Sequence, residues 1–278
     1  MAALRAELDE IDTGLHDLLM RRADVVARVA QTGAKGVMPL RAGREADIIR
    51  RLLARHRGPL PCGAIVRIWR ELLASTTAMQ GAFSVAVCDA APGGAYARLA
   101  REHFGGLTPM RVHGSPMQAI SEVSSGTASV AVLPVPLDDE APSAAWWTAL
   151  LHRDDPRISV VAKLPFWSAS GRGGAQPTGF VVAAVPPDPS GLDRSLIGLE
   201  LPRGMSRARL ADLVEKAGIV QTRLLVRRDQ EVAEALVLME AEGMFADDDP
   251  RLTRLSELPR PPVAIGAFAV PVVDGDEP

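Results

Sequence analysis

Apolar side chains recur along the first thirty residues in alternating steps of four and three. Leu4, Leu8, Ile11, Leu15, Leu18, Val25 and Val29 fill the stripe, and Arg22 interrupts it. This is a heptad seam, and it predicts one long helix over residues 3–30. At 1.5 Å per residue such a helix is roughly 42 Å long, too long to be buried in one small monomeric bundle, so the seam predicts a two-chain assembly. Arg is seldom buried without a partner. The guanidinium of Arg22 therefore expects a carboxylate of the protein or an anionic ligand.

The helix should stop near Gln31, Thr32 and Gly33, where helix formers run out. Residues 33–43 hold three glycines and Pro39 and read as a loop. A second helix starts near Arg44 with the stripe Ile48, Ile49, Leu52 and Leu53, and Glu45 lies on the same face. Pro59 and Pro61 end it. A third helix starts near Ala64 with the stripe Ile65, Ile68, Trp69, Leu72 and Leu73, which continues into Thr76 and Gln80. Arg22, Glu45, Thr76 and Gln80 thus stand where packing prefers carbon. Taken singly, they read as a buried Arg22–Glu45 ion pair with a satisfied hydroxyl and amide. Converging at one level of a helical bundle, they read as a polar pocket for a compact hydroxylated carboxylate.

From Phe83 the period changes. Residues 85–88, 129–133, 158–162 and 179–183 read as short buried strands. Helical stretches fall between them at 93–103, 117–123 and 143–152, with a glycine-rich connection at 171–177. This rhythm predicts an α/β layer. Residues 186–194 are a linker by composition. Strands at 195–201, 220–226, 233–239 and 263–270, with helices at 206–217 and 250–258, then give a βαββαβ order. The expected organisation is multidomain: an all-α three-helix domain over 1–81, a single-lobe α/β domain over 82–185, and an α+β domain over 195–273.

Composition narrows the function classes. The 278 residues are 47% hydrophobic and 23% charged with net charge −3. No basic excess points to nucleic acid, and 4% aromatics leave little for base stacking. No apolar run reaches the roughly 18 residues of a membrane span, and the N-terminus lacks a signal-peptide core. Cys62 and Cys88 make neither a disulfide framework nor a metal spacing. A cytoplasmic protein is expected.

Leu4-Arg5 with Ile11-Asp12, Leu18-Leu19-Met20-Arg21-Arg22, Arg44-Glu45, and Ser75-Thr76-Thr77-Ala78-Met79-Gln80 keep the order and spacing of a known set of motifs. Over 1–80 they resemble the all-helical chorismate mutase domain. Together with the two regions after residue 81, the chain resembles the bifunctional chorismate mutase–prephenate dehydratase family. The resemblance implies an intertwined homodimer that rearranges chorismate to prephenate, in aromatic amino acid biosynthesis, without metal or cofactor. It implies that Arg22 of one protomer and Arg5 of the other grip the two carboxylates. Glu45 takes the ring hydroxyl, Thr76 supports a carboxylate, Gln80 approaches the ether oxygen, and Arg44 flanks the site. The family's lysine near the end of the first helix falls on Gly33 here, and Lys35 in the following loop is its expected substitute.

The second region resembles prephenate dehydratase. Ala91-Pro92-Gly93-Gly94-Ala95-Tyr96, Val132-Leu133-Pro134-Val135-Pro136 and Thr178-Gly179-Phe180 stand at the family's motifs without its Glu, Asn, Ser and Arg. With no room for a second lobe between Lys163 and Thr178, it is expected to be a vestige. The third region resembles an ACT domain. Arg203-Gly204-Met205-Ser206 and Thr222-Arg223-Leu224-Leu225-Val226 replace its ligand motifs, so dimerisation is its expected role. The alternatives are a degenerate binding or regulatory protein of the shikimate pathway, which Gly33 favours, and an active prephenate dehydratase.

Overall fold

The computed structural model describes residues 1–278 except 33–37, 91–92, 139, 170–176, 203, 229–233 and 275–278. Gly33, Lys35 and most of the 171–177 connection therefore lie outside the described residues. The chain opens with three helices, α1 (Ala2–Thr32), α2 (Ala42–Arg55) and α3 (Cys62–Ala78). Then come β1 (Val85–Cys88), α4 (Ala95–Phe104), β2 (Met110–His113), α5 (Pro116–Ser124) and β3 (Val130–Pro134). Two 3-10 segments, Pro142–Ala144 and Trp146–His152, precede β4 (Ser159–Leu164), β5 (Trp167–Ser168) and β6 (Gly179–Ala183). The last part comprises β7 (Asp193–Leu201), α6 (Arg207–Lys216), β8 (Gln221–Arg227), β9 (Ala235–Glu242), α7 (Pro250–Thr253), β10 (Val263–Ala269) and β11 (Val272–Val273).

Local chemistry sets several of these limits. Ser115 caps α5 by accepting from the Gln118 amide, with Pro116 at the first helical position. Ser206 caps α6 in the same way through the Arg209 amide, and Gly218 ends it with φ 78°. The expected long helix forms as α1, but no residue in it is buried. Leu4, Leu8, Ile11, Leu15 and Leu18 are each more than half exposed, so the seam is an open apolar face.

Nine strands form one sheet in the order β2-β1-β3-β6-β4-β10-β7-β9-β8. β1 is parallel to both β2 and β3, and β6 is antiparallel to β3 and β4. β7, β8, β9 and β10 are antiparallel neighbours in the split order of a βαββαβ unit. The two halves meet where β10 pairs with β4 through Gly266 and Val160. Thus the sheet runs without a break from the second expected region into the third. The stretch 186–194, expected as a linker, is instead seated on α2: the Asp188 carboxylate accepts from the Arg44 amide at 3.0 Å and from the Arg41 guanidinium at 2.9 Å. An added Cβ at Gly43 would lie 2.2 Å from the Asp188 carbonyl oxygen, so the close approach needs glycine there.

Alternation along the strands divides the core between two faces. On one, α5 and the 3-10 segment with Trp146 and Trp147 cover Ala86, Ala131, Val160, Leu196, Leu238 and Phe268, which come from both halves of the sheet. On the other, α4 packs over Val85, Val87 and Val130, and α6 and α7 over Ile197, Val237 and Met239. Between them, α2 and α3 bring Ala46, Ile49, Val66 and Leu73 against Phe166 and Ala269. An ion triad around the buried carboxylate of Glu240 reinforces the junction. Glu240 of β9 takes Lys163 of β4 at 3.3 Å and Arg194 of β7 at 3.0 Å, and the Lys163 ammonium also lies over the rings of Phe180 and Phe268.

The sequence reading missed β2, β5 and β11, and it took as one helix what is 3-10 structure over Trp146–His152. It also extended α7 beyond Thr253.

The junction can be tested at Gly266. Its φ is 148°, and an added Cβ would sit 2.2 Å from the Val160 carbonyl oxygen. Gly266→Ala should lower stability by roughly 2–4 kcal/mol, combining positive-φ strain with overpacking. Urea denaturation measures this, and a loss under about 0.5 kcal/mol, the size of an ordinary surface substitution, would mean that the two half-sheets separate freely.

Candidate functional site

The site forms where the C-terminal part of α1 meets α2 and α3. Arg22 is half-buried, and its Nη1 donates to Thr76 Oγ1 at 3.2 Å. Thr76 is buried near the end of α3, and its hydroxyl lies 2.8 Å from the Leu72 carbonyl oxygen, one helical turn back. That bond directs the hydroxyl proton down the helix and leaves a lone pair for Arg22. Gln80 follows α3, and its Nε2 donates to the Thr76 carbonyl at 3.1 Å. Glu45 lies in the first turn of α2 and faces inward beside Ala46 and Ile49.

The partner of Glu45 is a residue that the sequence reading did not single out. Arg70 of α3 donates from Nη1 to Glu45 Oε2 at 2.9 Å, and only 5% of Arg70 is exposed. The anticipated Arg22–Glu45 ion pair is therefore not the contact made: Arg22 is hydrogen-bonded to Thr76, and Arg70 takes the carboxylate. The buried face of α3 carries Val66, Arg70, Leu73, Thr76 and Thr77, whereas Ile68 of the expected stripe is 52% exposed. The steps of four and three from Val66 to Arg70, Leu73 and Thr77 were the signal in the sequence for this face.

Electrostatics follow from burial. Desolvation pushes the Glu45 carboxyl above its ordinary value, while Arg70 and then Arg22 oppose the rise and Asp188 adds to it. Burial likewise lowers Arg22 and Arg70, each partly restored by Glu45. His103 of α4 is held well below its usual value by burial and by Arg70, so it is neutral at pH 7. Two cations and one carboxylate at a partly enclosed site favour an anionic ligand carrying a hydrogen-bond donor for Glu45.

Other expected site residues stand apart. Arg5 is exposed near the start of α1, roughly 25 Å along the helix from Arg22 at 1.5 Å per residue. Arg44 is exposed, and its guanidinium pairs with Asp47 at 2.7 Å. Lys35 is outside the described residues. A cleft of ≈ 480 Å³ opens on another side of Arg70, with Arg67, His103, Phe166 and Trp167 in its wall. Neither Arg22 nor Thr76 lines it. Among the described residues no group of three or more His, Cys, Asp and Glu side chains is arranged to hold a metal ion, and no helix is long and apolar enough to cross a membrane.

Residues 4–81 match the family described as chorismate mutase type II. Two curated relatives are each described as bifunctional chorismate mutase/prephenate dehydratase. The one from Pseudomonas aeruginosa is 32% identical and the one from Stutzerimonas stutzeri 30%, each over 146 residues. In both cases the match covers 49% of this chain and 38% of the relative, so the chain matches little more than a third of either relative's length. Half of this chain cannot fit within residues 1–81, so the likeness continues into the α/β region. A solved structure described as GqqA, a novel type of quorum quenching acylases, shares the fold with TM-score 0.52 at 17% identity, covering 69% of this chain and 96% of that one.

Removing one member of a buried pair strands the other charge. Glu45→Leu should therefore destabilise by about 3–5 kcal/mol, and adding Arg70→Met should recover most of that loss. A double-mutant cycle in urea measures the coupling. Additive losses would show that the two side chains are independent.

Proposed function

We propose that this chain rearranges chorismate to prephenate in aromatic amino acid biosynthesis. The observation that carries the reading is the guanidinium of Arg22, anchored on Thr76 beside the buried Glu45 within the segment that matches the mutase family. The rearrangement is pericyclic and needs no nucleophile. A catalyst must hold a flexible dianion in a compact shape and stabilise the negative charge that grows on the ether oxygen. Arg22 grips one carboxylate, and Thr76 supports it. The free oxygen of Glu45 takes the ring hydroxyl. Gln80 swings from the Thr76 carbonyl to the ether oxygen, and Lys35 replaces the cation absent from the sequence at Gly33.

The second carboxylate needs a further cation, and Arg5 of the same chain is too far along α1 to provide it. Arg5 of a second copy supplies it. The open apolar face of α1 supports such a homodimer, because Leu4, Leu8, Ile11, Leu15 and Leu18 are otherwise left in water. The α/β region is a single-lobe vestige of a dehydratase, and its βαββαβ unit is an ACT-like module retained for assembly. The reading favoured by Gly33 is a binding or regulatory protein that has kept the pocket without the rate.

Purified protein given chorismate should form prephenate. Arg22→Leu should cut turnover by about 100-fold or more while the helices persist, since Leu continues the seam. Given prephenate, the protein should form no phenylpyruvate above the uncatalysed level. Wild-type activity in Arg22→Leu would show that the site is elsewhere. Enzymatic phenylpyruvate would show a working dehydratase.

A further inference from the structure

We infer that Arg70 is a positioning residue of the mutase site, holding Glu45 toward the substrate hydroxyl, and that the α/β body supplies its seat through the ring of Phe166. This rests on the mutase reading above.

The geometry is a short chain of contacts. The Arg70 guanidinium lies 5.3 Å from the centroid of the Phe166 ring and donates to Glu45 Oε2 at 2.9 Å. Among the described residues no donor reaches Glu45 Oε1, so the carboxylate is fixed by one oxygen and open at the other. An aromatic face under a buried guanidinium stabilises its charge and fixes its plane. Phe166 stands in the bend between β4 and β5, in the α/β body and not in the helical segment. The same ring lies 5.5 Å from the Arg50 guanidinium of α2, which in turn donates to the carbonyls of Leu192 and Val270. α2 and α3, the helices that carry Glu45 and Arg70, are thus clamped on one side chain of the α/β body.

The role of Arg70 follows from the groups that face Glu45. Arg70 comes from α3, Arg22 from α1 and Asp188 from the segment before β7. His103 of α4, neutral at pH 7, borders Arg70. Arg22 has Thr76 and the substrate carboxylate to serve. Burial alone favours a protonated Glu45, and a carboxylic acid is a poorer acceptor for the substrate hydroxyl. Arg70 is the cation that opposes this throughout the catalytic cycle.

The test uses Arg70→Met, Arg70→Lys and Phe166→Leu in the full chain, with two readouts. One is the pH profile of kcat and KM for prephenate formation. The other is the 13C shift of the Glu45 carboxyl against pH. In Arg70→Met the Glu45 midpoint should rise by about one pH unit or more, and turnover at pH values below the wild-type midpoint should fall by about tenfold, recovering as pH rises past the new midpoint. Arg70→Lys should restore most of the midpoint. Phe166→Leu, which does not touch Glu45, should shift it in the same direction by a smaller amount. A role confined to stability would lower the melting temperature and leave the carboxyl midpoint and the pH profile in place. An active wild type whose profile and midpoint match those of a folded Arg70→Met overturns the inference alone. A wild type that forms no prephenate overturns the mutase reading and the inference with it, whatever the carboxyl titration does.

Discussion

A carboxylate taken out of water must be matched by a cation or it protonates. Glu45 is in that position, and the organisation of the helical segment follows from it. Arg70 meets it from α3 and Arg22 stands beside it from α1, so three helices converge on one charge. A buried ion pair gives little net stability against apolar residues of the same size, and its better-attested use is to fix an arrangement. Here the arrangement ties Glu45 to Arg70 through one oxygen and seats the guanidinium of Arg22 on Thr76 close by.

The same constraint explains why the helical segment does not stand alone. A buried guanidinium needs its remaining surface covered, and the ring of Phe166 covers that of Arg70. Arg50 and Asp188 add polar ties between α2 and the strands. With α4, α6 and α7, the two helices form a row along one face of a nine-stranded sheet, while the Trp146–Trp147 segment closes the other face across the junction at Gly266. Among the described helices only α1 is left out of this packing. Its apolar seam is the part of the molecule that the rest of the chain does not satisfy.

The sequence made the local features legible. The α1 seam is a periodic pattern broken only at Arg22, and the limits of α2, α3, α5 and α6 carry proline, serine and glycine signals that act within a few residues. Arg22, Glu45, Thr76 and Gln80 were visible as polar groups on apolar faces, and the structure brings them to one place. Long-range features were not legible. Arg70 does not stand out because the expected face of α3 runs through Ile65, Ile68 and Trp69, whereas the buried face runs through Val66 and Arg70 to Leu73, which the two share. β2 was missed because Met-Arg-Val-His is a short edge strand with no buried position. The single sheet was not foreseen, because β10 and β4 join at one residue pair, Gly266 and Val160, with no local pattern to mark it. Nor does composition reveal that Asp188, in a Pro-rich stretch, caps a helix more than 140 residues earlier.

The central claim is that each site is built from two chains, with Arg22, Glu45 and Thr76 from one and Arg5 from the other. Subunit complementation tests it directly. Arg5→Ala and Arg22→Leu chains are each nearly inactive on this account, because both sites of either homodimer lack a guanidinium. When the two variants are unfolded and refolded together in equal amounts, half of the dimers are mixed, and each mixed dimer carries one intact site. The mixture should regain about a quarter of the wild-type rate of prephenate formation. A mixture no more active than the two variants measured separately would show that no site is shared between chains.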